Sequence, residues 1–286
     1  MKKILLFILF ISSSETVFSQ KVENMRRVEV DGFFTNPLVS PDGTKVLLTG
    51  HHLKGVYILN LVTNETIQVT DRDGSGYGYS WDLNNDVVYF KQKEEKEFLY
   101  QAKSYAYTLS SKQLIARPDL EANALVAYHG QTSSDKSNIV VSTNLTTLKI
   151  EAQDLVSNRK WIVTNDEGQF YNALLSPDGT KVAVHKGADL YIYPIEGATS
   201  GKKIGVGLAT SWTKDGKNLI GFIDESEDGH TVSNSDLLWF DVEKGSVKKI
   251  TSTEVFLEMY PTFINENKIL FAEDKSGALY IANLKM

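Results

Sequence analysis

Residues 40–46 read Ser-Pro-Asp-Gly-Thr-Lys-Val, and the same seven residues return without change at positions 176–182. Pro-Asp-Gly is typical of a tight turn, because proline presets φ, aspartate bonds its own backbone and glycine accepts a positive φ. An apolar strand precedes each copy and a β-rich strand follows it, as in Val46–Leu48 and Val182–Val184. The repeat therefore predicts two equivalent β-hairpins in distant parts of the chain.

Three looser copies of this turn are found elsewhere in the chain. They lie at Trp81–Val87, Thr213–Leu219 and Phe263–Ile269. A third and a fourth strand follow the turn, as in Val56–Leu61 and Thr66–Val69. Four short antiparallel strands every ~40 residues are typical of the blades of a β-propeller.

The number of blades follows from the spacing of the turns. Trp81 and Leu175 are 94 residues apart, about two periods, so we expect a degenerate third blade between them. Its predicted strands are Leu125–Tyr128, Asn138–Val141, Thr147–Ile150 and Lys160–Val163. We therefore predict an all-β, six-bladed propeller of four-stranded antiparallel blades.

The last blade needs a strand from the start of the chain. It has only three strands before Met286, and the segment Arg26–Val30 stands where every other repeat has its fourth strand. Pairing the first and last segments closes the ring and removes two exposed sheet edges.

The first 19 residues have the pattern of a secretory signal peptide. Lys2 and Lys3 form a basic start, Ile4–Ile11 is an apolar run, and a small-residue cleavage site follows at about Ser19. The run is shorter than the ~20 residues that span a bilayer. We expect a cleaved signal at 1–19, one propeller domain at 20–286, and a periplasmic or secreted product that does not span the membrane. An uncleaved N-terminal anchor is the alternative.

Charge and cysteine content exclude several functions. The formal net charge is −6, and an acidic chain repels phosphate, so we expect no nucleic-acid partner. The chain has no cysteine, which excludes disulfides, zinc-thiolate sites and a thiol nucleophile.

The SPDGTKV turns and the later Tyr-Ile strands, such as Tyr57–Ile58 and Tyr191–Ile192, resemble the repeat of TolB-like six-bladed propellers. The resemblance covers residues 26 to 286 and implies the fold. TolB itself carries an N-terminal domain before its propeller, whereas this sequence reads as a stand-alone propeller. Propellers host many activities, so the resemblance leaves the Tol–Pal connection open.

We find no catalytic motif and expect a protein without enzymatic activity. The string nearest to the nucleophile elbow G-x-S-x-G is Gly78–Asp82, which ends in aspartate and lies in a strand repeat. A hydrolase of the prolyl-oligopeptidase kind would also need a further domain of about 200 residues. The alternative is a propeller enzyme, a metal-assisted lyase or hydrolase acting on a polysaccharide or peptide.

Metal ligands are sparse in this sequence. His51 and His52 are adjacent, and adjacent strand residues point to opposite faces, so both could ligate one ion only if the loop turns. Asp71–Gly76 brings Asp and Ser oxygens close to a glycine, as in calcium loops, but lacks the distant glutamate. We expect no cofactor, with calcium at Asp71 and Asp73 left open.

The best candidate for function is one face of the ring. In a propeller the connections between blades share a face with the loops between second and third strands, and loops on a rigid scaffold often carry function. Aromatic and polar residues in those loops form the predicted binding site: Phe34, His51, His52, Asp71, Asp73, Tyr77, Tyr79, Phe170, Tyr171 and Tyr260. One aromatic per repeat could instead pack between blades. We expect a binding or scaffold protein that recognises a protein or envelope component, and the sequence identifies neither the partner nor the oligomeric state.

Overall fold

The structure is built almost entirely from β-strands. This computed structural model describes residues 21–82, 84–96, 99–120, 124–130, 137–144, 146–154, 156–254 and 256–285, so the predicted signal peptide lies outside the described residues. The helices within these ranges are two short 3₁₀ turns, His51–Leu53 and Ser75–Tyr77. None of the described helices has the length and hydrophobicity needed to cross a membrane.

The strands form six four-stranded antiparallel sheets, which confirms the predicted six-bladed propeller. The first described strand, β1 at Lys21–Arg27, belongs to the last sheet. Blade 1 contains β2–β5 at Thr35–Val39, Lys45–Thr49, Val56–Asn60 and Thr66–Thr70. Blade 2 contains β6–β9 at Tyr79–Trp81, Val87–Lys96, Leu99–Thr108 and Gln113–Ala116. Blade 3 contains β10–β13 at Ala124–Gly130, Ser137–Thr143, Ile150–Asp154 and Lys160–Ile162.

The second half of the ring repeats this order. Blade 4 contains β14–β17 at Tyr171–Leu175, Lys181–Lys186, Asp189–Pro194 and Lys202–Val206. Blade 5 contains β18–β21 at Leu208–Trp212, Asn218–Glu225, Asn234–Asp241 and Ser246–Lys249. Blade 6 contains β22–β24 at Glu258–Asn265, Lys268–Glu273 and Leu279–Lys285, followed in space by β1.

The third strand of blade 3 lies later in the chain than predicted. It spans Ile150–Asp154, whereas the sequence suggested Thr147–Ile150. The Asn144 side chain accepts hydrogen bonds from the backbone N–H groups of Thr146 at 2.9 Å and Thr147 at 3.0 Å, which holds this segment in a turn. Asparagine commonly stabilises turns in this way, and pattern reading alone did not detect it.

The predicted closure of the ring by the N-terminal segment is confirmed. β1 pairs with β24, with Lys21 opposite Lys285 and Arg27 opposite Tyr280. The strand begins five residues before the predicted Arg26–Val30 and ends three residues before it, because beyond Arg27 the chain buries Val28 in the core.

The two identical turns have identical internal hydrogen bonds. In the first, the Asp42 carboxylate accepts from Ser40 Oγ at 2.6 Å and from the Thr44 N–H at 3.0 Å. Asp178 accepts from Ser176 Oγ and the Thr180 N–H at the same two distances in the second. Gly43 has φ of 74° and Gly179 has φ of 70°, which a residue with a Cβ adopts only at a cost.

The core lies between neighbouring blades. Between blades 1 and 2, for example, Leu47 and Ile58 pack with Val88 and Phe90. Burying each such side chain contributes roughly 1.5–3 kcal/mol. Two indoles add hydrogen bonds between inner strands, and both have a length of 3.0 Å: Trp81 Nε1 donates to the Leu38 carbonyl and Trp212 Nε1 to the Leu174 carbonyl.

Candidate functional site

One end of the ring collects the loops in which the predicted site lies. Alternating strand direction brings the blade-to-blade connections and the loops between second and third strands to this end, here called the connection face. The SPDGT turns lie at the other end, here called the turn face. Loops of the connection face include residues 28–34, 50–55, 71–78, 163–170, 187–188, 226–233, 251–254, 256–257 and 274–278.

Five of the predicted residues lie in loops of blades 1 and 2 on the connection face: His51, His52, Asp71, Asp73 and Tyr77. All five are exposed, and the two 3₁₀ turns that carry the histidines and Tyr77 contact each other. Lys54 Nζ lies 3.8 Å from an Asp73 carboxylate oxygen. We call this group, together with Lys54, the blade 1–2 patch.

Tyr77 is the tyrosine of the patch. Its side chain is 58% exposed, and Lys93 Nζ lies 5.8 Å from the centre of its ring. The Lys93 N–H donates to the Asp73 carbonyl at 2.9 Å, which holds the loop against β7. A cation at this distance from an aromatic ring contributes about 0.5–1 kcal/mol at an exposed site.

A second ring cluster was only partly predicted. Phe33 meets His51 edge to face at 4.9 Å, and the His51 and His52 ring centres are 3.8 Å apart. The predicted residue was its neighbour Phe34, which is buried and packs against Tyr57. Neighbouring residues in extended backbone point to opposite sides, so only one of the two phenylalanines can reach this surface.

Three of the predicted aromatic residues pack between blades, as the alternative interpretation anticipated. Phe34, Tyr79 and Phe170 are all at most 5% exposed. The Tyr79 hydroxyl donates to the Asn36 carbonyl, and burial raises its pKa well above the ordinary value. These residues belong to the core beneath the connection face, and they cannot contact a partner while they stay buried.

Tyr260 is half-buried near the inner edge of blade 6. It packs against Phe222 with ring centres 4.8 Å apart and has φ of 54°, an uncommon conformation for a bulky residue. Burial is the largest cause of its raised pKa, and the negative charges of Asp274 and Asp224 raise it further.

Tyr171 is exposed but lies far from the blade 1–2 patch. It begins β14 in blade 4, which is opposite blade 1 in a ring of six. Its side chain is 44% exposed, and its hydroxyl donates to the Gly187 carbonyl at 2.7 Å. The predicted site is therefore divided into two exposed parts, with buried aromatic residues elsewhere on the same face.

In the predicted calcium loop, two of the candidate oxygen ligands contact other groups of the protein. Asp73 faces Lys54, and Ser75 Oγ donates to the Arg72 carbonyl at 2.7 Å instead of to either aspartate. Across the described residues, no group of three or more His, Asp or Glu side chains is arranged to hold a metal ion. Calcium at Asp71 and Asp73 stays a prediction.

The string closest to a nucleophile elbow folds as an ordinary strand. Ser80 is buried in β6, between Tyr79 and Trp81. An elbow needs a sharp strand-to-helix turn that exposes the hydroxyl, and this local structure does not provide one.

A buried carboxyl between blades 5 and 6 was not predicted. Glu258, the first residue of β22, is 1% exposed and lines a groove of about 390 Å³ between β1 and the segment 249–253. Its carboxylate accepts a hydrogen bond from Thr253 Oγ1 at 3.0 Å, and burial raises its pKa to about 7. No sequence signal marks it, because its environment comes from both ends of the chain.

Together the fold and the site define a six-bladed β-propeller with two exposed aromatic regions on its connection face. No protein-family model matches the chain, and no curated protein matches its sequence. Solved structures do match, at identities that show the fold alone.

The chain is similar to TolB from Acinetobacter baumannii, with 14% identity over 87% of this chain and a TM-score of 0.56. It covers 54% of that protein, about half of its length. It is also similar to an oligogalacturonate lyase from Vibrio parahaemolyticus, with 14% identity, a TM-score of 0.53, and coverage of 87% of this chain and 76% of that one. A protein of unknown function from Bacteroides thetaiotaomicron matches with 11% identity, a TM-score of 0.62, and coverage of 93% and 76%. The TolB-like propeller fold implied by the repeats is thus confirmed.

Proposed function

We propose that this chain is a binding module whose connection face recognises a protein or a polymer of the cell envelope. The observation that carries the proposal is the exposure of two large aromatic side chains, Tyr77 and Tyr171, on this face. Tyrosine is enriched among the residues that dominate binding energy, since it combines a large apolar ring with a polar hydroxyl. The closed ring holds both residues on a rigid scaffold.

The proposed location is the periplasm or the outside of the cell. It rests on the basic start and the apolar run within residues 1–19. N-terminal sequencing of the protein from cells tests it, because cleavage leaves a chain that begins near Gln20.

The experiment for the binding function compares variants of the mature chain as baits for envelope extracts. Alanine at Tyr77 or Tyr171 should reduce recovery of a specific partner about 5- to 30-fold, the range for residues that contribute 1–2 kcal/mol to binding. The matched control is Val62→Ala, because Val62 is exposed on the turn face. Equal recovery by all three variants would contradict the proposal.

The second candidate is an enzyme acting on a polysaccharide or peptide. The observation that favours it is Glu258, a carboxyl with a pKa of about 7 that lines a groove. A group that titrates near neutrality suits general acid–base catalysis. Turnover of oligogalacturonate or another polymer, abolished by Glu258→Gln, would support this candidate over a pure binding module.

A further inference from the structure

We propose that His51 and His52 form a two-imidazole binding site for a borderline first-row transition metal ion such as Zn²⁺, Ni²⁺ or Cu²⁺. The proposal does not depend on the proposed binding function, because the metal ion itself is the ligand. Imidazole suits these ions, whereas calcium and magnesium prefer oxygen.

The loop turns, which is the condition under which adjacent histidines can share an ion. His51–Leu53 form a 3₁₀ turn, and His52 has φ of 56° and ψ of 30°, in the left-handed region. As a result the two side chains lie on one side, with ring centres 3.8 Å apart and planes at 68°. In a regular strand the same two side chains would point to opposite faces.

Chelation depends on the separation of the two ligating nitrogens, and ring centres 3.8 Å apart place these nitrogens within reach of it. Zinc binds imidazole nitrogen at about 2.0–2.1 Å, so two ligating nitrogens in a tetrahedral site lie roughly 3.3 Å apart. Rings already in contact need only side-chain rotation to reach this arrangement. Both histidines are exposed, and neither imidazole hydrogen-bonds to another group of the described chain.

The backbone around the pair is held in place. Thr49 Oγ1 donates to the Gly55 carbonyl at 2.8 Å, and the Gly50 N–H donates to the Lys54 carbonyl at 3.0 Å. Leu53 also has a positive φ, of 56°. A residue with a Cβ that adopts this left-handed backbone conformation costs roughly 1–3 kcal/mol of stability. Such strain is concentrated at functional sites.

The surroundings of the pair tolerate a cation. The Phe33 and His51 rings meet edge to face, with their centres 4.9 Å apart. The positive charge of Lys54, which follows the histidine turn, lies 3.8 Å from the Asp73 carboxylate, which offsets it. The described residues provide no third His, Asp or Glu ligand, so the other coordination positions are open to water or to a ligand from another molecule.

The test is titration of the mature, tag-free chain with Zn²⁺ by calorimetry, followed by Cu²⁺ electron paramagnetic resonance. Removal of the tag matters, because a polyhistidine tag binds the same ions. We expect one saturable site and two equatorial imidazole nitrogens on Cu²⁺. His51→Gln and His52→Asn should each weaken binding at least tenfold, since either change leaves one imidazole; asparagine tolerates the left-handed backbone at position 52.

The matched control is His230→Gln, which changes a single exposed histidine in blade 5 and should bind as the unchanged chain does. The double variant has no imidazole left at this site and should bind more weakly than either single variant. Wild-type affinity in either single variant, an equal loss in the His230→Gln control, or one coordinated imidazole on Cu²⁺ would overturn the proposal. Thermal unfolding of each variant shows that the exposed changes leave the fold intact.

Discussion

Glu258 brings a titratable group into the interface between blades 5 and 6. Its charged neighbours are Asp236, which pairs with Lys249 at 2.7 Å, and Glu273, which lies opposite it on β23. Lys21 and Glu23 of β1 line the same groove. Burial is the main cause of its raised pKa, and the charge of Asp236 adds to it.

We expect the raised pKa of Glu258 to make the protein less stable as pH rises through neutrality. The pKa rises from 4.5 in the unfolded chain to about 7, so between these values the folded protein holds a proton that the unfolded chain releases. This contribution to the free energy of unfolding is at most on the order of 3 kcal/mol. It is fully present below pH 4.5 and is lost by about pH 8.

Glu258→Gln imitates the protonated form and should remove this part of the pH dependence. Denaturant unfolding at pH 5 and pH 8 measures it: the unchanged chain should lose more stability than the variant between the two values. An identical loss in both proteins would contradict the assignment.

At the scale of elements, the carboxylate of Asp166 bonds the connection from β13 to β14 to blade 4. Asp166 accepts hydrogen bonds from the Tyr193 hydroxyl at 2.6 Å, Ser200 Oγ at 2.7 Å and the Gly201 N–H at 3.0 Å. These bonds, led by that from Tyr193, lower its pKa from 3.8 to about 2. They join the end of blade 3 to the loop between the last two strands of blade 4.

Asp166→Asn should therefore destabilise the fold by roughly 1 kcal/mol, because solvent screens the charge of a carboxylate near the surface. The stabilisation is present above pH 3.8 and is lost as pH falls through about 2, because protonation removes the charge that the hydrogen bonds favour. Thermal unfolding at pH 7 measures the difference. The neighbouring Glu167→Gln changes an exposed side chain and should be neutral; equal effects of the two variants would count against this role for Asp166.

At the scale of the whole molecule, we expect stability to depend on the pairing of β1 with β24, which closes the ring. β1 is the outer strand of blade 6, and its Val22 packs against the cluster between blades 5 and 6. Without β1, the edge of β24 would be exposed, and exposed edges promote association between chains.

Removal of residues 21–27 should lower the unfolding temperature and produce oligomers, because the lost backbone hydrogen bonds contribute about 0.5–1.5 kcal/mol each. Size-exclusion chromatography and thermal unfolding measure both effects. Val22→Asp should reproduce much of the loss, whereas Met25→Asp should not, since Met25 is exposed. A monomeric deletion variant with an unchanged unfolding temperature would show that closure contributes little.

Part of this architecture was predictable from local sequence. The Ser-Pro-Asp-Gly-Thr turns form their hydrogen bonds within five residues, so both copies fold as expected. Their spacing predicted six blades, and the missing strand at the C-terminus predicted closure by the N-terminus. Only the bounds of individual strands differed, as at Lys21–Arg27 and Ile150–Asp154.

The sequence by itself thus determined the number of blades and the face on which loops gather, since both follow from short-range turn chemistry and its period. Only the tertiary structure decided that Phe33 and Tyr77 reach the surface while Phe34 and Tyr79 are buried. It also decided that the rings of His51 and His52 meet, and that a carboxyl between two blades titrates near neutrality. The reason is physical: burial and side-chain direction depend on contacts between blades that are far apart in the chain, and a pattern read within one repeat does not contain them.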